Sequence, residues 1–333
     1  MENHTRAVWF TSPRAVEIRA VPVRSPTDGE ILVRTRFSGI SPGTEMLAYR
    51  GELEPDLVQD ETIGALGGTF RYPFRYGYST VGVVEESRTD IPVGTQVFAF
   101  HPHQERLTVS ARDVVPIDGL SPREATLFPL VETAFQITLD AGLRPGERAV
   151  VLGLGPVGSL TAVLLARSGV RVVGVDPLPW RRTALVRSGG PELSLMEPDS
   201  LDSIENDAKG SISLVIDASG NPNALRMGLR LLSHEGTLLV ASWFGSRDVA
   251  LPLGKEFHRR RLNIRSTQVS TIPRRLQKEW DKEKRKKAVV ELLDLLPLSV
   301  FATHTFPFEE ASEAYAAIDQ HCEGLIHSAL AYD

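Results

Sequence analysis

Gly153, Gly155 and Gly158, spaced G-x-G-x-x-G around Leu154, Pro156 and Val157, are the residues whose spacing most constrains the chemistry of this chain. The first glycine permits a tight turn, the second lets a phosphate approach the backbone, and the third lets a helix pack closely on a strand. Unpaired N–H groups at the start of that helix then attract a pyrophosphate. Alone the motif is weak, because any glycine-rich βα turn could show it. Here it follows an apolar run, Arg148–Leu152, and opens a helical run, Ser159–Arg167. A second apolar run, Val170–Val175, ends on Asp176, eighteen residues past Gly158. Strand, loop, helix, strand and acid in that order predict a dinucleotide site.

Asp176 narrows the expectation to NAD(H). Its carboxylate can accept hydrogen bonds from the adenosine ribose hydroxyls, and its charge repels a 2′-phosphate. Arg181 and Arg182 follow closely and weaken that exclusion, since an arginine there can hold a phosphate. Ser219 and Gly220, after the apolar run Ser213–Ala218, are further candidate cofactor contacts. So is Trp243, after the run Gly236–Ser242, which could wall the nicotinamide or simply pack.

Other side chains could move a proton. His101 and His103 lie two apart, a spacing that shares one face of a strand. They could bind metal, line a substrate cleft or serve ordinary polar packing, and an imidazole titrates near neutrality. Without a third suitably spaced ligand, metal is the weakest of the three readings. The phenol of Tyr78, with an ordinary pKa of ~10, is a serviceable donor at neutral pH and a poor base.

These residues need elements to position them. With 333 residues, two domains are expected. The first 125 residues look β-rich, with runs at Ala15–Val21, Glu30–Phe37, Thr80–Glu85, Gln96–Phe100 and Glu105–Val109. From Pro122 the period changes: Pro122–Ala141 reads as helical, and strands then alternate with helices to about residue 270. Asn223–Leu232, Leu276–Leu296 and Ala311–Ile318 read as helices, and Gly324–Ala331 as a final strand. A ligand is expected in a cleft between the two domains.

Composition excludes several classes. Hydrophobic residues at 42% and charged residues at 24% suit a globular chain, and a net charge of −5 gives no reason to expect nucleic acid. No apolar stretch reaches the ~20 residues of a membrane span, and no signal region precedes Arg6, so a cytoplasmic location is expected. One cysteine, Cys322, excludes an internal disulfide and a cysteine-built zinc site. Lys255–Lys287 carries thirteen Lys and Arg against four Asp and Glu. His258–Arg261 and Arg265 could attract an anionic small-molecule substrate or the cofactor phosphates, or merely solubilise a face.

Ser38–Glu45, Gly77–Val84, the glycine fingerprint, Asp217–Gly220 and Leu231–Thr237, in this order, resemble the medium-chain dehydrogenase/reductase superfamily. The resemblance covers nearly the whole chain. It implies an α/β fold: a GroES-like catalytic domain of residues 1–125 and 271–333, and a doubly wound Rossmann domain of residues 126–270. It also implies a homodimer. The stretches Arg75–Gly82 and Phe98–Gln104 are similar to the branch containing bacteriochlorophyllide a dehydrogenase, which oxidises a secondary hydroxyethyl group.

The departures bear on mechanism. Zinc-dependent members carry a cysteine in the first motif and a His-Glu pair in the second, since catalytic zinc takes three protein ligands. Here Ser41-Pro42 and Tyr78-Ser79 stand in those places, and only Glu132 is a plausible third ligand. The resemblance therefore implies a member without zinc. Thr44 sits where the family has a relay hydroxyl, Tyr78 takes the lost histidine's place, and Glu132 could orient a neighbour or bind a substrate hydroxyl. The implied activity is NAD(H)-linked interconversion of a secondary alcohol and a ketone in a specialised biosynthetic pathway. A conjugate reductase of an enone, enoyl thioester or quinone, and a non-enzymatic NAD(H)-binding protein, are the alternatives.

Overall fold

The computed structural model describes residues 3–188, 193–200 and 212–333. The chain divides into two compact units, Met1–Pro129 with Lys286–Asp333, and Leu130–Arg285.

The first unit is β-rich. Strands β1 (Asn3–Ser12) and β2 (Ala15–Val23) pair as an antiparallel hairpin. Five more follow: β3 (Glu30–Ile40), β4 (Thr80–Ser87), β5 (Gln96–Ala99), β6 (Arg106–Ser110) and β7 (Val114–Pro116). The second unit contributes β8 (Arg148–Leu152), β9 (Arg171–Val175), β10 (Leu193–Met196), β11 (Leu214–Asp217), β12 (Thr237–Val240) and β13 (Asn263–Ser266). The chain then returns to the first unit with β14 (Ala302–Pro307) and β15 (His327–Ala331).

In the first unit a seven-stranded sheet runs β14-β15-β3-β4-β5-β7, with β6 also paired to β3. Long β3 is its hub, with β15, β4 and β6 all antiparallel to it. One core cluster of this unit gathers Phe10, Ile40, Met46, Leu66, Phe74 and Tyr315. Strand β1 carries a weak sequence signal because Asn3-His4-Thr5-Arg6 is polar, yet Thr5 is buried and Ala7, Val8 and Phe10 are wholly buried.

The second unit holds a six-stranded parallel sheet, β10-β9-β8-β11-β12-β13. Strands β8 and β11 are almost wholly buried, as parallel strands covered on both faces must be, which explains their near-continuous apolar runs. From β8 the chain proceeds to β9 on one side, while β11 lies on the other. That reversal creates a crevice at the carboxyl ends of β8 and β11, where ligands bind in open α/β sheets. The expected Rossmann-type parallel sheet with a β-rich GroES-like companion is the fold observed.

Two helical expectations differ in detail. Pro122–Ala141 is two helices, Pro122–Ala125 and Phe128–Ala141. Pro129 has no N–H to continue the ladder from the first helix, so the chain breaks and restarts there. The stretch Leu276–Leu296 is helical only over Lys282–Leu295. Asp281 accepts a hydrogen bond from the Lys284 N–H at 2.7 Å and so caps the start. Among the described residues no helix is long and apolar enough to cross a membrane.

Candidate functional site

In the parallel-sheet unit the glycine loop leaves β8 and enters the helix Pro156–Arg167. Gly153 has φ +90°, and a Cβ there would lie 2.5 Å from the Ser219 Cα, so turn and neighbouring loop both demand glycine. A Cβ on Gly158 would sit 1.9 Å from the Gly153 carbonyl oxygen. Gly155 differs, because a Cβ there would meet nothing within 4 Å. Its open face lies where a phosphate would reach the backbone. Pro156 takes the first helical position, where its missing N–H costs nothing, and leaves the donors of Val157 and Gly158 for an anion. These features fit a dinucleotide.

Asp176 follows β9 and is almost wholly buried. Its Oδ2 accepts from the Leu154 N–H at 2.7 Å and its Oδ1 from the Leu178 N–H at 2.8 Å. Thus the acid braces the glycine loop itself. A carboxylate has about four acceptor positions, so capacity remains for ribose hydroxyls. Arg181 approaches the same Oδ2 at 3.4 Å, whereas Arg182 donates to the Asp176 backbone carbonyl. Across the crevice, Ser219 donates through Oγ to Asp217 Oδ1 at 2.6 Å. Gly220 has φ +67°, and its N–H donates to Ser242 Oγ at 2.9 Å. Asp217 is fully buried with no hydrogen-bond partner on Oδ2, and burial raises its pKa. Trp243 is 42% exposed, too open for core packing to explain it alone.

In the β-rich unit the structure brings together Tyr78, Ser41 and Thr44. Tyr78 lies close enough to Ser41, Thr44 and Glu45 for each of them to act on its phenol. Burial, and then the negative charge of Glu45, push the phenol well above its ordinary range, so it stays protonated at every physiological pH. Beneath it Glu45, in the first turn of the helix Thr44–Arg50, is wholly buried. Glu45 Oε1 accepts from the Ser41 N–H at 2.9 Å, and Oε2 takes the Tyr315 hydroxyl at 2.7 Å and faces His103 Nε2 at 2.9 Å. The other ring nitrogen of His103 meets Ser38 Oγ, which in turn meets the Tyr332 hydroxyl. Glu45, Ser38, Tyr315 and Tyr332 have no counterpart among the sequence candidates. A carboxylate at the head of the apolar run Met46-Leu47-Ala48-Tyr49 is the one local signal that points to Glu45.

Three expected roles need correction. His101 and His103 lie in the connection between β5 and β6 rather than on a strand. His103 is completely buried and both ring nitrogens are engaged, so it lines no cleft. It fits because Gly77, at φ +115°, leaves room for its ring: a Cβ there would come within 2.6 Å. His101 is pushed down to about 4, first by burial, with Arg75 and His103 adding to the shift. It is neutral at pH 7 and is not the near-neutral acid or base that its residue type suggests. Glu132 accepts from Arg285 Nε at 3.0 Å, with both side chains nearly inaccessible. Arg285 also donates to Gln136 at 2.6 Å. A guanidinium at that distance excludes a cation on the same oxygen. Among the described residues no group of three His, Cys, Asp or Glu could hold a metal. A depression of about 750 Å³ on the β-rich unit, beside Arg24, Arg34 and Glu85, includes none of the candidate residues.

Comparison with known proteins agrees with this fold. Residues 156–284 match the family described as zinc-binding dehydrogenase. The chain is 28% identical to 2-desacetyl-2-hydroxyethyl bacteriochlorophyllide A dehydrogenase of Cereibacter sphaeroides, over 97% of each chain. It is 25% identical to D-guloside 3-dehydrogenase of Escherichia coli, over 97% of this chain and 98% of that one. An alcohol dehydrogenase of E. coli CFT073 solved with NADH superposes with a TM-score of 0.77 at 18% identity, covering 98% and 99% of the two chains. The resemblance to the medium-chain dehydrogenase/reductase superfamily therefore holds over nearly the whole chain.

Proposed function

We propose that this chain is an NAD(H)-dependent oxidoreductase that interconverts a secondary alcohol and a ketone without zinc, in a specialised biosynthetic pathway. The observation that carries the reading is the hydroxyl cluster of Tyr78, Ser41 and Thr44, held over buried Glu45 where zinc-dependent relatives are expected to carry ligands. The nicotinamide supplies the hydride chemistry when bound. Gly155, Val157 and Gly158 bind the pyrophosphate through backbone N–H groups, and Asp176 favours a ribose without a 2′-phosphate. A phenol kept protonated by its surroundings is a proton donor, so Tyr78 hydrogen-bonds the substrate carbonyl oxygen and gives it one proton, while Thr44 orients that oxygen. The relatives named as dehydrogenases of hydroxyl-bearing substrates support the direction of this reading. Exposed Asn263–Ser266 at the edge of the parallel sheet supports a homodimer.

Purified protein tests the proposal. NADH should bind tighter than NADPH, a panel of ketones and secondary alcohols should turn over at 340 nm, and elemental analysis should find no stoichiometric zinc. One tightly held zinc per chain, lost together with activity, would overturn the metal-free reading. Turnover of enones alone would replace it with conjugate reduction.

A further inference from the structure

We propose that Tyr332, Ser38, His103 and Glu45 form a buried proton-loading chain that serves the Tyr78 site from the C-terminal end of the β-rich unit. The proposal rests on the reading of Tyr78 as the group that gives up a proton. The chain is continuous in hydrogen bonds. The Tyr332 hydroxyl lies 2.8 Å from Ser38 Oγ, Ser38 Oγ lies 2.7 Å from His103 Nδ1, and His103 Nε2 lies 2.9 Å from Glu45 Oε2. Ser38, His103 and Glu45 are wholly inaccessible to water. Tyr332 is also buried, at 8% exposure, but the residue lines a surface pocket of about 70 Å³ with Thr35, Arg6, Glu105 and Glu309.

Donor arithmetic gives the chain two self-consistent states. With Glu45 as a carboxylate accepting the Ser41 N–H, the Tyr315 hydroxyl and a hydrogen on His103 Nε2, all three contacts are satisfied. In one state His103 is neutral: Tyr332 donates to Ser38, and Ser38 donates to Nδ1. In the other, a proton has arrived at the Tyr332 oxygen, the Tyr332 proton has passed to Ser38, and the Ser38 proton has passed to Nδ1. No bond between heavy atoms changes, and the cluster goes from one negative charge to none. Hydroxyls and an imidazole are the groups able to pass a proton in this way, since each both donates and accepts.

Loading acts on Tyr78 through charge. While Glu45 is uncompensated, its field holds the proton on the phenol. An imidazolium 2.9 Å away cancels that field and makes Tyr78 a readier donor. Tyr315 packs edge-on against the His103 ring and stays a neutral phenol, burial and Glu45 both raising its pKa. His101, neutral at pH 7, adds no opposing charge, and Glu105 and Glu309 act at the Tyr332 end.

The test reads His103 directly in the full-length protein labelled with ¹⁵N-histidine, its signals identified by their loss in His103→Gln. In the wild type the Nδ1 resonance should move with bulk pH as one averaged line, although the ring is inaccessible to water. In Tyr332→Phe, which keeps the ring stacked on Phe308, that averaging should be lost and separate lines appear. Ser38→Ala should do the same. An averaged line in both variants, or a wild-type Nδ1 that ignores pH while the protein stays folded, overturns the chain. In the activity arm, Tyr332→Phe should lower kcat for ketone reduction and enlarge the solvent isotope effect while KM for NADH stays unchanged. A wild type that turns over no carbonyl refutes the reading of Tyr78, and the resonances then decide the proton chain by themselves.

Discussion

Removing one partner of the Glu132–Arg285 pair should destabilise the parallel-sheet unit far more than removing both. The side chains are 5% and 3% exposed, and the guanidinium is shared with Gln136. Arg285→Met takes the guanidinium away from a buried carboxylate, and breaking a buried pair from one side costs about 3–5 kcal/mol. For a unit the size of Leu130–Arg285, each kcal/mol moves Tm by about 2–4 °C, so the fall should be roughly 6–20 °C. Glu132→Gln should cost less than Arg285→Met, because the amide oxygen still accepts from Arg285. The double variant Glu132→Gln/Arg285→Met should recover most of the loss, since a buried ion pair replaced by neutral groups is often close to neutral in stability. Differential scanning calorimetry of the four proteins completes the cycle. If Glu132→Gln melts with the wild type yet loses turnover with NADH binding intact, Glu132 is a catalytic residue rather than a structural one. If the double variant melts lower than Arg285→Met, loss of the guanidinium's charge opposite Glu132 is not what destabilises the single variant.

Three other outcomes are expected. Gly155→Ala should leave Tm unchanged while weakening NADH binding at least tenfold, about 1.4 kcal/mol, whereas Gly158→Ala should lower Tm sharply, because its Cβ would meet the Gly153 carbonyl at 1.9 Å; equal Tm for the two variants, by thermal scanning, would contradict the packing account. Asp176→Asn keeps one acceptor oxygen for the two N–H groups of Leu154 and Leu178, so Tm should fall and the preference for NADH over NADPH should shrink in a titration; an unchanged ratio in the folded variant would remove Asp176 from cofactor choice. Burial pushes His101 down to about 4 and His327 to about 3, so the unfolded chain, titrating near ~6.5, binds protons that the folded chain refuses. Stability from these two groups should be complete above that value and fall as pH drops toward 4 and then 3. His101→Gln should flatten part of that fall in denaturant titrations, and an unaltered slope would show that His101 titrates normally.

The parallel-sheet half was legible because its signals are local. Gly153 to Asp176 spans a single loop, helix and strand, and turn strain, close packing and acid placement all act within that span. The strand ahead of it was readable for a related reason. Ala149, Val150, Val151 and Leu152 are all buried, so the sequence shows an unbroken apolar run where a half-exposed strand would alternate. The β-rich half was legible by motif and opaque in its contacts. Tyr78 and Thr44 were visible as candidates, but their floor comes from residues far apart in the chain: Tyr315 reaches Glu45, and Tyr332 reaches Ser38. No periodicity encodes such pairings. His103 misled because its residue type suggests accessible acid–base chemistry, while the glycine at position 77 that buries it reads in sequence as a mere turn. Glu132 misled likewise, since nothing near it announces Arg285.

The position of β15 at the heart of the β-rich sheet has a consequence for synthesis. It pairs with β3 on one side and β14 on the other, so an interior strand of the first unit is made after every other strand described. Residues roughly 290 apart must meet, and at about 5–20 residues per second the ribosome keeps β3 waiting for something like 15–60 s. During that interval the parallel-sheet unit can complete itself, while β3 has an unpaired edge open to other chains. Loss of Ser328–Ala331 would therefore remove an interior strand rather than trim a tail, and yield in the cell should depend on how well that waiting edge is guarded.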